Sequence, residues 1–284
     1  MPKTLLKFPR RLSITPLLIV AFPLMSSCFL MPKVRADDFF PNSFLVAANP
    51  QKNLEPKAIE LLKATSDRLA KARTLQFTAV TTYENPSRLG PALAYHTLSN
   101  VTLQRPNKLQ VISPGDGPAS EFYYNGKTLV AFAPMENLVA IAEAPGTIDE
   151  ALRFAYNTAA IYFPFTDFLV ANHNHDISGD FKTAFYIGQS QVIDGITTDM
   201  VAIATDKVFA QIWIGEKDKL PRMIRAVYRD DPSRLRHQVA FSNWQVDAPI
   251  PAGTFSSTRT NGANPMPFKR PEPEPLDNKP VSTP

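Results

Sequence analysis

His173-Asn-His175-Asp176 is the one cluster of metal-type ligands at close spacing in the chain. A structural or catalytic zinc needs three or four such groups converging on one point. Histidines at i and i+2 point to opposite sides of an extended chain, and no third ligand follows nearby, so the segment reads as an exposed polar loop. Asp149 and Glu150 could serve as a carboxylate pair for acid–base chemistry. Both fall in the first turn of a predicted helix, where a capping box and the helix dipole already account for them. Ser113, Ser120 and Ser178 occupy turn positions, and no Gly-x-Ser-x-Gly elbow presents a nucleophile. His96 and His237 lie inside predicted strands as half-buried side chains. There is no glycine-rich phosphate loop. The sequence offers no catalytic constellation and implies no cofactor and no metal.

Aromatic side chains are what remain, and their arrangement depends on the elements that hold them. The central stretch runs from Ser120 to Glu143 and reads as three antiparallel strands joined by two turns. Asn125-Gly126 is a strong hairpin signal, because a two-residue type I′ turn needs positive φ at both central positions. Such a turn sets Tyr124 opposite Lys127, Tyr123 opposite Thr128 and Phe122 opposite Leu129. One face then carries Phe122, Tyr124, Leu129 and Ala131, and the other Tyr123, Val130 and Phe132. Both faces are apolar, so both require cover.

Around this stretch the chain alternates at period two in Leu75–Tyr83, Leu93–Leu103 and Lys108–Ile112, which adds three strands before it. A helix precedes them, with Asn53 as candidate cap, Pro56 in its first turn and Ala58, Leu62, Thr65, Leu69 and Ala72 on one stripe. After the six strands, Thr147-Ile-Asp-Glu150 forms a capping box that starts a helix to about Ala160. Leu152, Ala155, Tyr156 and Ala159 share one side of it, and residues 163–170 add a second short apolar helix. Strands resume near Phe181, around an Asp194-Gly195 turn, and continue at about 199–205, 208–215, 222–229 and 235–246. The fold class is therefore α+β: a curved antiparallel half-barrel of ten or eleven strands with helices across its concave face.

The ends of the chain differ from this body. Residues 1–36 hold six basic side chains, no acidic one, and an apolar run from Leu12 to Met31. They read as an export signal. Val34-Arg35-Ala36 suits cleavage before Asp37, Met25-Ser-Ser-Cys28 resembles a lipobox with lipidation at Cys28, and an uncleaved anchor is the third reading. Without residues 1–36, 24 basic side chains stand against 26 acidic ones, a net charge of −2, which argues against a nucleic-acid partner. Cys28 is the single cysteine, so no intramolecular disulfide can form. Residues 37–53 read as an irregular leader, 54–260 as one domain, and 261–284 as a proline-rich disordered tail.

Several segments also resemble known families. Asn125-Gly-Lys-Thr-Leu-Val-Ala-Phe-Ala-Pro-Met-Glu-Asn137 is similar to a segment of the lipoprotein-sorting proteins LolA and LolB. The span from about Pro56 to Phe255 resembles more closely the predicted periplasmic proteins of domain of unknown function 2092. Glu121-Phe-Tyr-Tyr-Asn-Gly-Lys-Thr-Leu, Ala144-Pro-Gly-Thr-Ile-Asp-Glu-Ala-Leu, Gln211-Ile-Trp-Ile, Leu220-Pro-Arg-Met and Ser242-Asn-Trp carry that likeness, in order. It implies a curved sheet with a helical lid around an apolar cavity in the bacterial periplasm or cell envelope.

Apolar helices too short to fill a large curved sheet leave room for a pocket, and aromatics are the usual lining of an apolar site. The expected lining is Phe122, Tyr124, Leu129, Phe132, Tyr156, Phe165, Phe168 and Trp213. The best-supported function is non-catalytic binding of a lipid or other hydrophobic small molecule, with membrane association if Cys28 is lipidated. An envelope sensor or scaffold with a protein partner, and a hydrolase whose triad assembles only in three dimensions, are the alternatives. A carrier implies an apolar cavity, a sensor a filled core with an exposed patch, and a hydrolase a Ser–His contact inside a cleft.

Overall fold

The structure is a computed structural model that describes residues 52–115, 118–144, 146–166 and 179–270. The chain divides into two compact units, Met1–Ala48 and Asn49–Pro284, and every described element lies in the second. The readings of export, of the leader up to Gln51 and of Cys28 fall outside the described residues, as do Phe168, His173 and His175.

The second unit opens with β1 (Asn53–Leu54) and α1 (Pro56–Lys71). Asn53, expected as the helix cap, instead lies in β1; the cap is Glu55, whose side chain makes no capping bond. The Glu55 carboxylate accepts from the Tyr186 amide at 2.8 Å instead, tying the helix start to the sheet. Pro56 takes the first helical position, where its missing N–H leaves no orphan. The expected stripe is buried, with Leu61 added to it. Burying Leu61, Leu62 and Leu69 contributes about 1.5–3 kcal/mol each.

Six strands follow as a meander: β2 (Thr74–Asn85), β3 (Leu93–Gln104), β4 (Lys108–Ser113), β5 (Ser120–Tyr124), β6 (Thr128–Ala133) and β7 (Leu138–Glu143). After α2 (Ile148–Ala159) come β8 (Thr183–Ser190), β9 (Thr198–Ala204), β10 (Val208–Gly215), β11 (Pro221–Tyr228), β12 (Arg236–Val246) and the short β13 (Asn264–Met266). All belong to one curved, unclosed sheet in the order β1-β8-β9-β10-β11-β12-β2-β3-β4-β5-β6-β7-β13. β12 docks beside β2, so the last long strand joins the two runs of neighbours. The expected antiparallel strands are present, and β1 and β13 close the two edges with parallel pairings.

The central hairpin differs in register from expectation. Tyr124 pairs with Leu129, Tyr123 with Val130 and Phe122 with Ala131, so four residues form the loop. Asn125 works through its side chain: its Oδ1 accepts from the amides of Lys127 and Thr128, both at 3.0 Å. Gly126 alone takes positive φ, at 99°. The displacement is an even number of residues, so each side chain keeps its face. Asp194 and Gly195 do form a turn with positive φ at both, closed by Ile196 N–H donating to the Ile193 carbonyl. Strand pairing resumes only at Ser190 and Thr198, which makes the whole connection seven residues long.

The capping box of α2 is present as read. Thr147 Oγ1 accepts from the Glu150 amide, and the Glu150 carboxylate accepts from the Thr147 amide at 2.8 Å. Of the second apolar helix expected at 163–170, residues 163–166 are described, and they follow α2 after Ile161 and Tyr162; the rest lies outside the described residues. One packed cluster joins the helices to the sheet. It takes Ala58, Leu62 and Leu69 from α1, Ile148, Leu152 and Ala155 from α2, and strand residues such as Phe77, Tyr124, Ile212 and Phe241.

Candidate functional site

The two apolar faces of the central hairpin meet different partners. Phe122, Tyr124 and Leu129 belong to the helix-bearing face and are fully or almost fully buried in the common cluster. Phe122 packs edge-on against Phe163 at 5.3 Å, and Phe163 stacks on Phe165 at 5.6 Å. Phe165 in turn meets Phe77 edge-on at 5.7 Å. Tyr124 donates its hydroxyl to the Gly146 carbonyl at 2.9 Å, so its polar end is satisfied inside the core. Burial and the nearby Glu150 carboxylate push the Tyr124 phenol above its ordinary pKa. Four residues expected to line a cavity, Phe122, Tyr124, Leu129 and Phe165, are therefore closed into packing. The reason is that residues 161–166 fold back and fill the space between α2 and the strands with Phe163 and Phe165.

The opposite face carries Glu121, Tyr123, Val130 and Phe132, and the chain beyond β12 covers it. Gln110 donates to the Thr254 carbonyl at 2.8 Å, and Lys108 lies over the Phe255 ring at 5.8 Å. Arg259 pairs with the Glu121 carboxylate and lies over the Phe132 ring at 5.8 Å. Tyr123 donates to Glu121 at 2.7 Å; burial first, then this bond, raises its pKa and keeps it a neutral donor. β13 then pairs with β7, from Asn264 opposite Leu138 to Met266 opposite Ala140. Phe268 stacks on Phe154 of α2 at 6.0 Å, and Arg270 donates to the carbonyls of Tyr156 and Asn157. Described contacts with the body thus extend to Arg270, ten residues beyond the boundary expected at 260, through a short strand that contains Pro265 and whose partner lies more than a hundred residues earlier.

A cleft of about 380 Å³ opens beside α2, lined by Asp149, Leu152, Arg153, Tyr156, Ile161, Tyr162 and Thr166. Its size falls within the range of about 300–1,000 Å³ typical of small-molecule sites. Helix α2 positions the wall: Leu152 and Tyr156 are one turn apart, on the same face. Tyr156 and Tyr162 meet edge-on at 6.3 Å across the cleft, and half of Tyr156 is exposed. Arg270 sits over the Tyr156 ring at 5.7 Å. Arg153 and Asp149 stand at the rim. Asp149 acts on the half-buried Arg105, whose pKa is lowered by burial and partly restored by that carboxylate.

Of the expected lining, Tyr156 alone among the described residues reaches this cleft. Phe132 is buried on the strap-covered face. Trp213 lies on the face of β10 opposite Ile212 and Ile214, between Met200 and Met223 in register. Sequence reasoning missed Arg153, Ile161 and Tyr162. The available signal was the breadth of the aromatic and apolar positions on α2: a helix stripe wider than the sheet can cover leaves Tyr156 facing outward.

Among the described residues the remaining reactive side chains show no catalytic grouping. His96 shares a 2.9 Å hydrogen bond with Thr82 on the exposed sheet surface. His237 packs edge-on to Tyr228, and burial lowers its pKa against the opposing pull of Glu84 and Asp231. Ser99 and Ser113 bond each other at 2.9 Å. Among the described residues no three His, Cys, Asp or Glu side chains are grouped to hold a metal ion.

Residues 58–269 match the family described as predicted periplasmic protein (DUF2092). No curated protein matches the chain significantly. Among solved structures, the Mycobacterium tuberculosis lipoprotein LppX is 15% identical, covering 69% of this chain and 98% of its own, with a TM-score of 0.44. LprF from Mycobacterium bovis is 16% identical over 69% and 96%, with a TM-score of 0.42. A LolA superfamily protein from Nitrosomonas europaea is 11% identical over 70% and 97%, with a TM-score of 0.34. Overlaps this loose transfer no ligand.

Proposed function

The chain belongs to the DUF2092 family of predicted periplasmic proteins, and we propose that it is a non-catalytic envelope protein that binds a lipid or similar apolar molecule. The cleft beside α2 carries this reading. Leu152, Tyr156, Ile161 and Tyr162 give it apolar walls, while Asp149, Arg153 and Thr166 supply polar groups at its margin. An amphiphile fits that distribution, with its chain laid along the paired Tyr156 and Tyr162 rings and its polar end toward Asp149, Arg153 and Thr166. Binding is driven by removal of apolar surface from water, at about 25 cal/mol per Å². The packed aromatics Phe122, Phe163 and Phe165 form the floor that holds α2 and residues 161–166 in place, and do not touch the ligand. Phe168, expected at the same site, lies outside the described residues.

Mass spectrometry under non-denaturing conditions on the protein purified without detergent tests this. A co-purifying apolar molecule, lost from a Tyr156→Asp variant that melts at the same temperature, supports it. A protein that emerges empty and takes up no fluorescent fatty acid refutes it.

A further inference from the structure

We propose that the end of the sheet formed by the β2–β3, β9–β10 and β11–β12 connections docks on an anionic lipid surface. This site lies apart from the cleft and does not depend on the reading above. Register places the three connections together: Asn85 pairs with Leu93, Phe209 with Ala204, Val208 with Tyr228, and His237 with Tyr83. Hydrogen bonds fix them to one another. Arg229 N–H donates to the Lys207 carbonyl at 2.7 Å, its guanidinium donates to the Thr205 carbonyl at 2.9 Å, and Arg236 N–H donates to Glu84 at 2.9 Å.

Leu89 stands at the tip of the β2–β3 connection between Pro86 and Pro91, 91% exposed, and Leu93 below it is 51% exposed. Behind them, Tyr83 stacks on Tyr95 at 5.7 Å, and Tyr228 meets His237 edge-on at 5.2 Å. Tyr95 and Tyr228 remain more than two-fifths exposed. Aliphatic tips ahead of a row of tyrosines match the depth profile of a membrane interface, where amphipathic rings sit at headgroup level. The charges point the same way. Arg88, Lys207 and Arg234 are exposed and make no ion pair among the described residues. Of the carboxylates at this end, Glu84 pairs with Arg236, Asp206 pairs with Lys182, and Asp231 accepts from the amides of Ser233 and Leu235. Arg229 is exposed and without an ion pair among the described residues as well, which leaves Asp230 and Asp231 against Arg88, Lys207, Arg229 and Arg234, an excess of two cations. Long basic side chains beside inserted apolar groups reach the phosphates of an anionic headgroup layer. A flat protein partner would instead call for a continuous apolar patch, whereas here the exposed aliphatic groups, Leu89 and Leu93, stand at the one β2–β3 connection beside the exposed Arg88.

The test is co-sedimentation of the second unit, Asn49–Pro284, with phosphatidylglycerol vesicles and with phosphatidylcholine vesicles. The unit should partition onto the anionic vesicles and much less onto the zwitterionic ones. Leu89→Asp and Arg88→Glu, both at exposed positions, should keep the melting temperature; Leu89→Asp should reduce partitioning at least about tenfold. Val192→Asp, at a 90% exposed position at the opposite end of the sheet, should change nothing. Tyr156→Asp should also partition normally, which separates docking from uptake into the cleft. The proposal is overturned if the unit stays in solution, whether or not it then captures an envelope protein. It is equally overturned if Leu89→Asp matches Val192→Asp, or if only Tyr156→Asp abolishes sedimentation.

Discussion

Arg259 reaches back across 138 residues of sequence to pair with Glu121, a carboxylate buried on the sheet face away from the helices. Tyr123 donates to the same carboxylate, so one buried charge gathers a cation and a phenol from different parts of the chain. The pair fastens the C-terminal strap over the hairpin, while the outer part of Arg259 stays in solvent.

Removing the cation should expose that dependence. Arg259→Ala leaves Glu121 buried with one donor, and the loss should be roughly 1–3 kcal/mol, toward the lower end because Arg259 is largely exposed. Adding Glu121→Gln should restore part of it, since a neutral amide needs no counter-charge. Urea unfolding of the four members of this cycle measures the coupling, and a coupling of zero means that the strap is held by other contacts.

Truncation gives a second view of the strap. Ending the chain after Gly253 removes Phe255, Arg259, β13 and Phe268 together, and uncovers Tyr123, Phe132 and Val139. The melting temperature should fall well beyond the 2–4 °C expected per kcal/mol for a domain of this size, and an apolar dye should bind. An unchanged melting temperature and no dye binding would place the end of the folded body before residue 254.

These contacts mark the boundary of what sequence alone can deliver. The capping box at Thr147 and Glu150 was legible because its partners are three residues apart. The meander was legible because alternation in stretches such as Leu75–Tyr83 is local. That both faces of the hairpin need cover was legible too, from Phe122 and Tyr124 against Tyr123 and Phe132. The identity of the cover was not, since Arg259 and Phe255 carry no periodic signal and their partners lie more than a hundred residues earlier. The cleft escaped for a related reason: Tyr156 and Tyr162 face each other only because the chain reverses after α2.

His237 makes stability depend on pH in a defined direction. Burial depresses its folded pKa below the ordinary value of 6.5, with Glu84 and Asp231 opposing. The unfolded chain therefore takes up the proton first on acidification. The contribution is fully present above pH 6.5 and is lost as pH falls from there through the depressed folded pKa. In His237→Gln the fall in stability over that window should flatten, measured by urea unfolding at stepped pH. A steeper fall in the variant would mean that the charged imidazole is favoured in the folded state.

The last prediction separates floor from wall at the cleft. Phe122 is buried against Phe163 and has no route to water, so Phe122→Asp puts an unpaired charge into the core and should unfold the protein. Tyr156 is half exposed, and Asp at that position can be hydrated. Tyr156→Asp should therefore keep the fold, losing at most about 1 kcal/mol with the Tyr162 contact. It should lose binding of a fluorescent fatty acid, because the charge replaces one of the two paired rings that form the apolar wall. Phe132→Asp provides the contrast on the other face: next to Arg259 it should lower stability while leaving probe affinity intact in the folded fraction. Circular dichroism paired with probe titration reads all three variants. If Tyr156→Asp binds the probe as well as the wild type does, the cleft beside α2 is not the ligand site.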